Sequence, residues 1–348
     1  WIFHGMTQVQ GFLLCFAIGF LFTMIPRRTG SAPPSTMEMI AGIAAPVSTV
    51  IAAWLQKWAM SQLGWVLACG LLLRFAVVRA RRAPALRRPP ASFVWIPVAL
   101  LVGLCGSVMT GVGASRGPSG MWLHQLGQQL VLQGVFTSLV VGVGGFLLPM
   151  ITRGQGPGPS GAKGELAAVT LHLVAAAILV ASFFVQQLGS IREGCALRAA
   201  VVAAELLFGA QLWRLPSVPG WNRRLVWIAA WMLPTGFAAA ALWPDYYEAG
   251  LHVSFVGGFA TLSLAVGTHV VLAHGGKGDL VSGQPWQVGA IALLMGAALV
   301  SRVAMTVQAA HRNAWMATAA VFFLAATAVW MGFLLPIVAG RLTGERQT

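Results

Sequence analysis

Long apolar runs, each closed by a short polar or turn-forming cluster, recur along the whole chain. A run of about twenty apolar residues suits one crossing of a hydrocarbon layer roughly 30 Å thick. Hydropathy and punctuation predict eleven such helices, over 7–25, 38–56, 63–79, 93–112, 122–150, 165–188, 194–214, 222–243, 249–273, 285–309 and 314–340. The breaks coincide with turn chemistry: Pro33-Pro34, Pro89-Pro90, Gly117-Pro118, the Gly-Pro run at 156–159, Pro216 and Pro219, Pro244, and Gly275-Gly276. Pro149 is expected to kink or end the fifth run. No stretch has the mixed polarity of a separate soluble domain, so residues 1–348 read as a single polytopic all-α transmembrane domain.

Three of the runs share a layout. His4 opens HGMTQVQGFLLCFAIGFLFTMIPRRTG, His124 opens HQLGQQLVLQGVFTSLVVGVGGFLLPMITRG, and His252 lies at the start of GLHVSFVGGFATLSLAVGTHVVLAHGG. Each passes through Gly and Phe and ends in a glycine-containing segment with Arg or Lys. The His-to-His spacings are 120 and 128 residues, a long period that points to three units of about four helices each.

Composition agrees with the pattern: 57% of residues are hydrophobic, 9% are charged, and the mean hydropathy is +0.78, whereas soluble domains carry about 25% charged residues. The formal net charge of +14 lies mostly in short loops, where it is a topology signal and a contact for lipid head groups rather than a nucleic-acid footprint. After the odd-numbered runs come Arg27, Arg28, Arg79, Arg81, Arg82, Arg87, Arg88, Arg153, Lys163, Arg214, Arg223, Arg224, Lys277, Arg341 and Arg346; the opposite side has Lys57, Arg116, Arg192, Arg198 and Arg312. Fifteen against five predicts that the odd helices run from outside to inside and that the C-terminus is cytoplasmic, as in a protein of the bacterial inner membrane. Trp1 then starts outside, and one further helix upstream is expected, for twelve in all. Arg74, Glu205 and Arg302 fall well inside the runs; buried charge is costly in a bilayer, so each is a functional candidate, Glu205 being the deepest. Cys15, Cys69, Cys105 and Cys195 form no CxxC pair and read as packing residues.

With this orientation the histidines sort into an outer layer (His4, His124, His252, His311) and an inner one (His172, His269, His274). Neutral imidazole binds haem iron and copper well. The expectation is therefore a b-type haem near the outer face with His4 and His252 as axial ligands, Arg302 pairing with a propionate, and Gly257 and Gly258 leaving room for the macrocycle beside Phe255 and Phe259. The same glycines equally suit helix–helix packing. His124, joined by His311, is a candidate copper ligand; alternatively His269 and His172 hold a second haem at the inner face. No CxxCH, GxGxxG or P-loop is present, and no nucleophile–His–carboxylate set stands out among eight acidic residues, so hydrolase, kinase and nicotinamide chemistry are not expected.

Several of these segments resemble a known family. Trp1-Ile2-Phe3-His4-Gly5-Met6, followed by Gln10-Gly11-Phe12 and a run ending MIPRRTG, resembles the W-H-A-H-E-M…G-F opening of the NnrS family. GGFLLPMITR resembles that family's G-R-x-x-P-F-F-T-R segment, and THVVLAHGGK its S-R-V-x-L-G-H-T-G-R segment. The departures are Ile2 for the first His, Gly5 for the Glu, Gly145-Phe146 for the Gly-Arg pair, and His269 where the family pattern has Arg. The resemblance implies a twelve-helix bacterial membrane protein containing haem and copper and linked to nitric oxide and nitrosative stress. Counting an upstream helix, His4, His124 and His252 fall on helices 2, 6 and 10, which is similar to the haem and copper histidines in the pseudo-threefold catalytic subunit of haem-copper oxidases, although the paired histidines of helix 7 have no counterpart. Two other roles are open: a catalytic or accessory subunit of a membrane haem-copper oxidoreductase working with other respiratory subunits, and a transporter or metal-handling permease with Glu205 on its substrate path.

Overall fold

The computed structural model describes residues 2–84, 89–156 and 162–342. Trp1, Arg87, Arg88, the turn residues at 157–159 and Arg346, invoked above, lie outside them. Everything described is helix, turn or loop, as apolar runs in lipid require: a spanning segment must satisfy its own backbone hydrogen bonds. Ten helices are long and apolar enough to cross a membrane among the described residues. In chain order they are α1 (Phe3–Thr29), α2 (Thr36–Trp54), α3 (Trp58–Arg81), α4 (Ala91–Ser115), α5 (Gly117–Arg153), α6 (Gly164–Leu188), α8 (Trp221–Leu242), α9 (Pro244–His274), α10 (Trp286–Val307) and α11 (Ala309–Gly340). Between α6 and α8 lies α7, an α-helix over Ile191–Ala204 extended by a π turn over Glu205–Gly209.

α7 corresponds to the expected run 194–214, and it falls short on apolarity because it carries Arg192, Glu193, Arg198 and Glu205. It nonetheless follows its neighbour from end to end. Cys195 packs against Ala240 and Ala241 at the end of α8, while just beyond the other end of α7 the Leu212 carbonyl accepts 2.8 Å from Trp227 Nε1, near the start of α8. Nineteen residues at about 1.5 Å each reach roughly 28 Å. The run expected over 194–214 is thus a helix packed along α8, long enough to span but less apolar than the other ten. Pro149, expected to kink or end the fifth run, does not end it: α5 continues from Pro149 to Arg153 before Gly154 turns left-handed (φ 69°).

The chain divides into two compact units, residues 1–144 with 158–190 and residues 145–157 with 191–348. In the first, a capping box opens α2: Ser35 Oγ accepts from the Glu38 amide at 3.3 Å, and Glu38 Oε2 accepts from the Ser35 amide at 2.8 Å. The same carboxylate pairs with Arg79 at 3.0 Å, and Arg79 also donates to the Ala32 and Pro33 carbonyls, fastening the α1–α2 loop to the end of α3. Lipid tails are as apolar as leucine, so helices associate through close packing and hydrogen bonds rather than water exclusion. α4 and α5 accordingly meet on small residues. A Cβ on Gly106 would lie 2.9 Å from the Gly127 carbonyl, and one on Gly127 would lie 2.5 Å from the Thr110 amide.

The second unit uses the same device. A Cβ on Gly250 would lie 2.6 Å from the Ala240 amide, so α8 and α9 pack backbone to backbone there, and one on Gly258 would lie 2.6 Å from Leu233 Cδ2, so the leucine side chain fills that place. Two bonds fasten this seam, Ser254 Oγ to the Leu233 carbonyl (2.9 Å) and Asn222 Nδ2 to the Ala265 carbonyl (2.9 Å), and Trp330 Nε1 ties α11 to α9 at the Leu264 carbonyl (2.9 Å).

The threefold layout seen in the sequence has a structural signature. The three helices opened by His4, His124 and His252 each contain a π segment, Gln8–Leu13 in α1, Leu130–Gly134 in α5 and Val253–Ala260 in α9, as does α7 over Glu205–Gly209. The turns that follow these helices contain left-handed glycines, Gly30, Gly154 and Gly276 (φ 66°, 69° and 73°). A residue with a Cβ pays for that conformation, which explains a glycine at each. π segments are rare and concentrate at functional sites.

Candidate functional site

The most developed polar constellation surrounds His252, where the first α-helical stretch of α9 gives way to its π segment. His252 Nδ1 lies 2.6 Å from the Glu248 carbonyl, four residues back, and Nε2 lies 2.6 Å from Arg302 Nη2 of α10. A carbonyl only accepts and a guanidinium only donates, so Nδ1 carries the proton and Nε2 presents its lone pair. The imidazole is neutral, its orientation set by a backbone carbonyl, which is how a metal-ligating histidine is held. Arg302 is 8% exposed; its Nη1 reaches Met305 Sδ at 3.4 Å, with Glu248 an attractive and Arg312 a repulsive charge nearby. Phe255 stands edge-on to His252 (centroids 6.5 Å) and tilts against Phe259 at 5.8 Å, forming an aromatic row along the π segment.

The glycines beside this row are already used. A Cβ on Gly257 would lie 3.1 Å from Met232 and from Leu299, and Gly258 abuts Leu233. Helix packing, rather than room for a macrocycle, explains them. A group held by His252 therefore meets the Arg302 side of α9 and not the Gly257–Gly258 side.

A second buried arginine contacts the same stretch of α9. Arg198, expected in a loop, is fully buried in α7, where it donates to the Tyr247 hydroxyl and, weakly, to Cys195 Sγ (3.9 Å), with its guanidinium 5.4 Å from the Phe237 ring. Arg198 and Arg302 thus grip the Tyr247–His252 turn at its two ends. Glu205 lies half-buried at the start of the α7 π turn, and Arg74 is exposed; of the three charges singled out by sequence, only Arg302 is buried.

His124 repeats the His252 arrangement: Nδ1 donates to the Thr110 carbonyl at 2.9 Å and Nε2 accepts from Gln128 at 3.0 Å. The glycine contacts of α4 and α5 make this possible by bringing Thr110 within a hydrogen bond of the α5 backbone. His4 is exposed on the first turn of α1, where its carbonyl accepts from Thr7 at 3.3 Å. His172 is half-buried on α6, and His269 lies on α9 with its Nδ1 buried and without a hydrogen-bond partner. His4, His124 and His172 belong to the first unit, and His252, His269 and Arg302 to the second. Among the described residues no three His, Cys, Asp or Glu side chains form a metal-binding group.

Neutral polar side chains escaped the sequence reading. Gln10 and Gln62 pair through two bonds of 3.1 Å, with Ser107 Oγ on Gln62 at 2.8 Å; Gln187 receives from Gln129 and donates to Gln125, both at 3.1 Å. The four-residue spacing of Gln125, Gln129 and Gln133 within an apolar run was the available signal.

Fold and site together define a polytopic all-helical membrane protein with a neutral, Arg-guarded histidine on a π-bulged helix. The model of the NnrS protein family matches residues 1–341, and the chain belongs to the NnrS family. No curated protein and no solved structure matches it.

Proposed function

We propose that this chain is a haem-binding protein of the bacterial inner membrane acting in nitric oxide or nitrosative-stress metabolism, with His252 an axial ligand of a b-type haem. The supporting observation is the state of His252: Nδ1–H anchored on the Glu248 carbonyl, Nε2 holding its lone pair toward Arg302. When bound, the haem supplies redox-active iron able to take nitric oxide or another diatomic. The protein's own part is to keep the imidazole neutral and oriented. Arg302 covers Nε2 here, and with haem bound its guanidinium would instead meet a carboxylate of that group through a charge-assisted hydrogen bond. A guanidinium suits this exchange because it presents several donors and stays charged. His4 is a further ligand candidate and His124 the copper candidate, its Nε2 held for the same purpose by Gln128. The fifteen-to-five charge asymmetry supports a cytoplasmic C-terminus.

The purified membrane protein is tested by its absorption spectrum and haem-to-protein ratio, with copper counted alongside. A Soret band with sharp reduced α and β bands is expected in the wild type. His252→Ala is expected to lose most of the haem, and Arg302→Gln to bind it more weakly. A folded wild type that remains colourless after expression with added haem precursor refutes the reading.

A further inference from the structure

We propose that the polar stripe of α5, with Gln187 of α6 at its mouth, holds a file of water that enters at the His124 end of α5 and stops halfway along the helix. Four α5 positions spaced by four residues carry it: Gln125, Gln129, Gln133 and Thr137. Their burial deepens in order. Gln125 is exposed, Gln129 half-buried, Gln133 3% exposed and Thr137 1% exposed, with Ser138 beside it fully buried. The next position on the stripe, Val141, is apolar and 2% exposed, and there the polar row ends.

Two features make this a row rather than scattered polar residues. In an α-helix, positions four apart drift around the axis by about 40°, so a long i, i+4 stripe winds off its face. The π segment over Leu130–Gly134 lies between Gln129 and Thr137, and its looser i→i+5 winding turns the stripe back. On the facing helix, Gln187 bridges Gln125 and Gln129 at 3.1 Å each, so the mouth is lined by amides from both helices.

The row also holds unmet hydrogen-bonding capacity. Gln129 Oε1, Thr137 Oγ1 and Ser138 Oγ are buried and have no protein partner. An unsatisfied polar atom in a bilayer costs several kcal/mol, and buried water making about three bonds is the usual remedy. Three such atoms between a solvent-reachable glutamine and an apolar stop define a path for water. All its donors and acceptors are neutral, so the lining solvates water and offers no counter-charge to an ion. This inference is independent of the haem reading and of its test.

The test is thiol reactivity in nanodiscs, in a chain whose four native cysteines are replaced by alanine. Thr137→Cys and Val141→Cys are equally buried in the structure but differ in expected hydration. Thr137→Cys is expected to react with 2-aminoethyl methanethiosulfonate at least ten-fold faster than Val141→Cys, and adding Gln129→Leu is expected to remove most of that difference. Equal rates in folded protein overturn the proposal, leaving the glutamines as staples between α5 and α6. If the thiol variants do not assemble, radiolytic hydroxyl-radical labelling of the native chain decides the matter. Phe136, next to Thr137 and 5% exposed, is expected to be oxidised several-fold faster than Phe75, 1% exposed; no excess at Phe136 overturns it equally.

Discussion

The contact that places His124 makes the most demanding prediction: Gly127→Ala on α5 should loosen the first unit while Gly111→Ala on α4 should not. The added methyl at Gly127 lies 2.5 Å from the Thr110 amide and 2.6 Å from the Gly106 carbonyl and Thr110 Oγ1. Two of these atoms are backbone and do not rotate away. Carbon contacts settle near 3.5 Å, so α4 and α5 must part by about 1 Å, and a gap of that size forfeits a quarter to a half of each dispersion contact along the seam. Overpacking of this kind costs about 1–3 kcal/mol. The Thr110 carbonyl would also withdraw from His124 Nδ1, now 2.9 Å away, and losing a neutral bond costs about 1 kcal/mol. The total is about 2–4 kcal/mol. A Cβ added at Gly111 would meet nothing within 4 Å, and replacing glycine by alanine inside a helix gains up to about 1 kcal/mol in propensity. Equilibrium unfolding in mixed dodecylsulfate micelles, followed by tryptophan fluorescence, compares the two variants under one condition. A Gly127→Ala cost below about 0.5 kcal/mol, or a cost equal to that of Gly111→Ala, would refute the backbone-contact account of how His124 is placed.

Glu38 serves two structures at once, so Glu38→Ala should lose both capping box and ion pair, about 1–2 kcal/mol, while Glu38→Gln keeps the box and loses less; thermal unfolding of the two variants orders them. Arg198→Ala leaves an unfilled site against Phe237 and removes a donor from Tyr247 and should lower stability by about 2–4 kcal/mol, whereas Arg198→Met fills the space without a charge to desolvate and should cost much less by the same assay. Membrane orientation is read by impermeant thiol labelling of intact cells: Asp245→Cys should react from outside and Arg82→Cys only after permeabilisation, and the reverse result inverts the topology.

All eleven helices were legible as runs in the sequence, ten of them long and apolar enough to cross a bilayer, because length and apolarity are properties of a single run. The repeated placing of His4, His124 and His252, each near the opening of its helix, was legible for a similar reason: position along a helix is read without any knowledge of neighbours. The NnrS resemblance rested on local strings of the same kind. What the tertiary structure decided concerns which face of each helix meets which partner. Apolar composition makes every face of a membrane helix look alike in one dimension. The sequence therefore put Arg198 in a loop when α8 and Tyr247 enclose it, and left Gly257 and Gly258 open to two roles until Met232, Leu299 and Leu233 were found against them. The run 194–214 was read like the others, but as α7 it carries Arg192, Glu193, Arg198 and Glu205 and is held along α8 from Cys195 to Leu212. The proton on His252 Nδ1 was beyond reach as well: the Glu248 carbonyl is local, but the guanidinium that settles the tautomer arrives from fifty residues away, on a helix that only packing brings alongside.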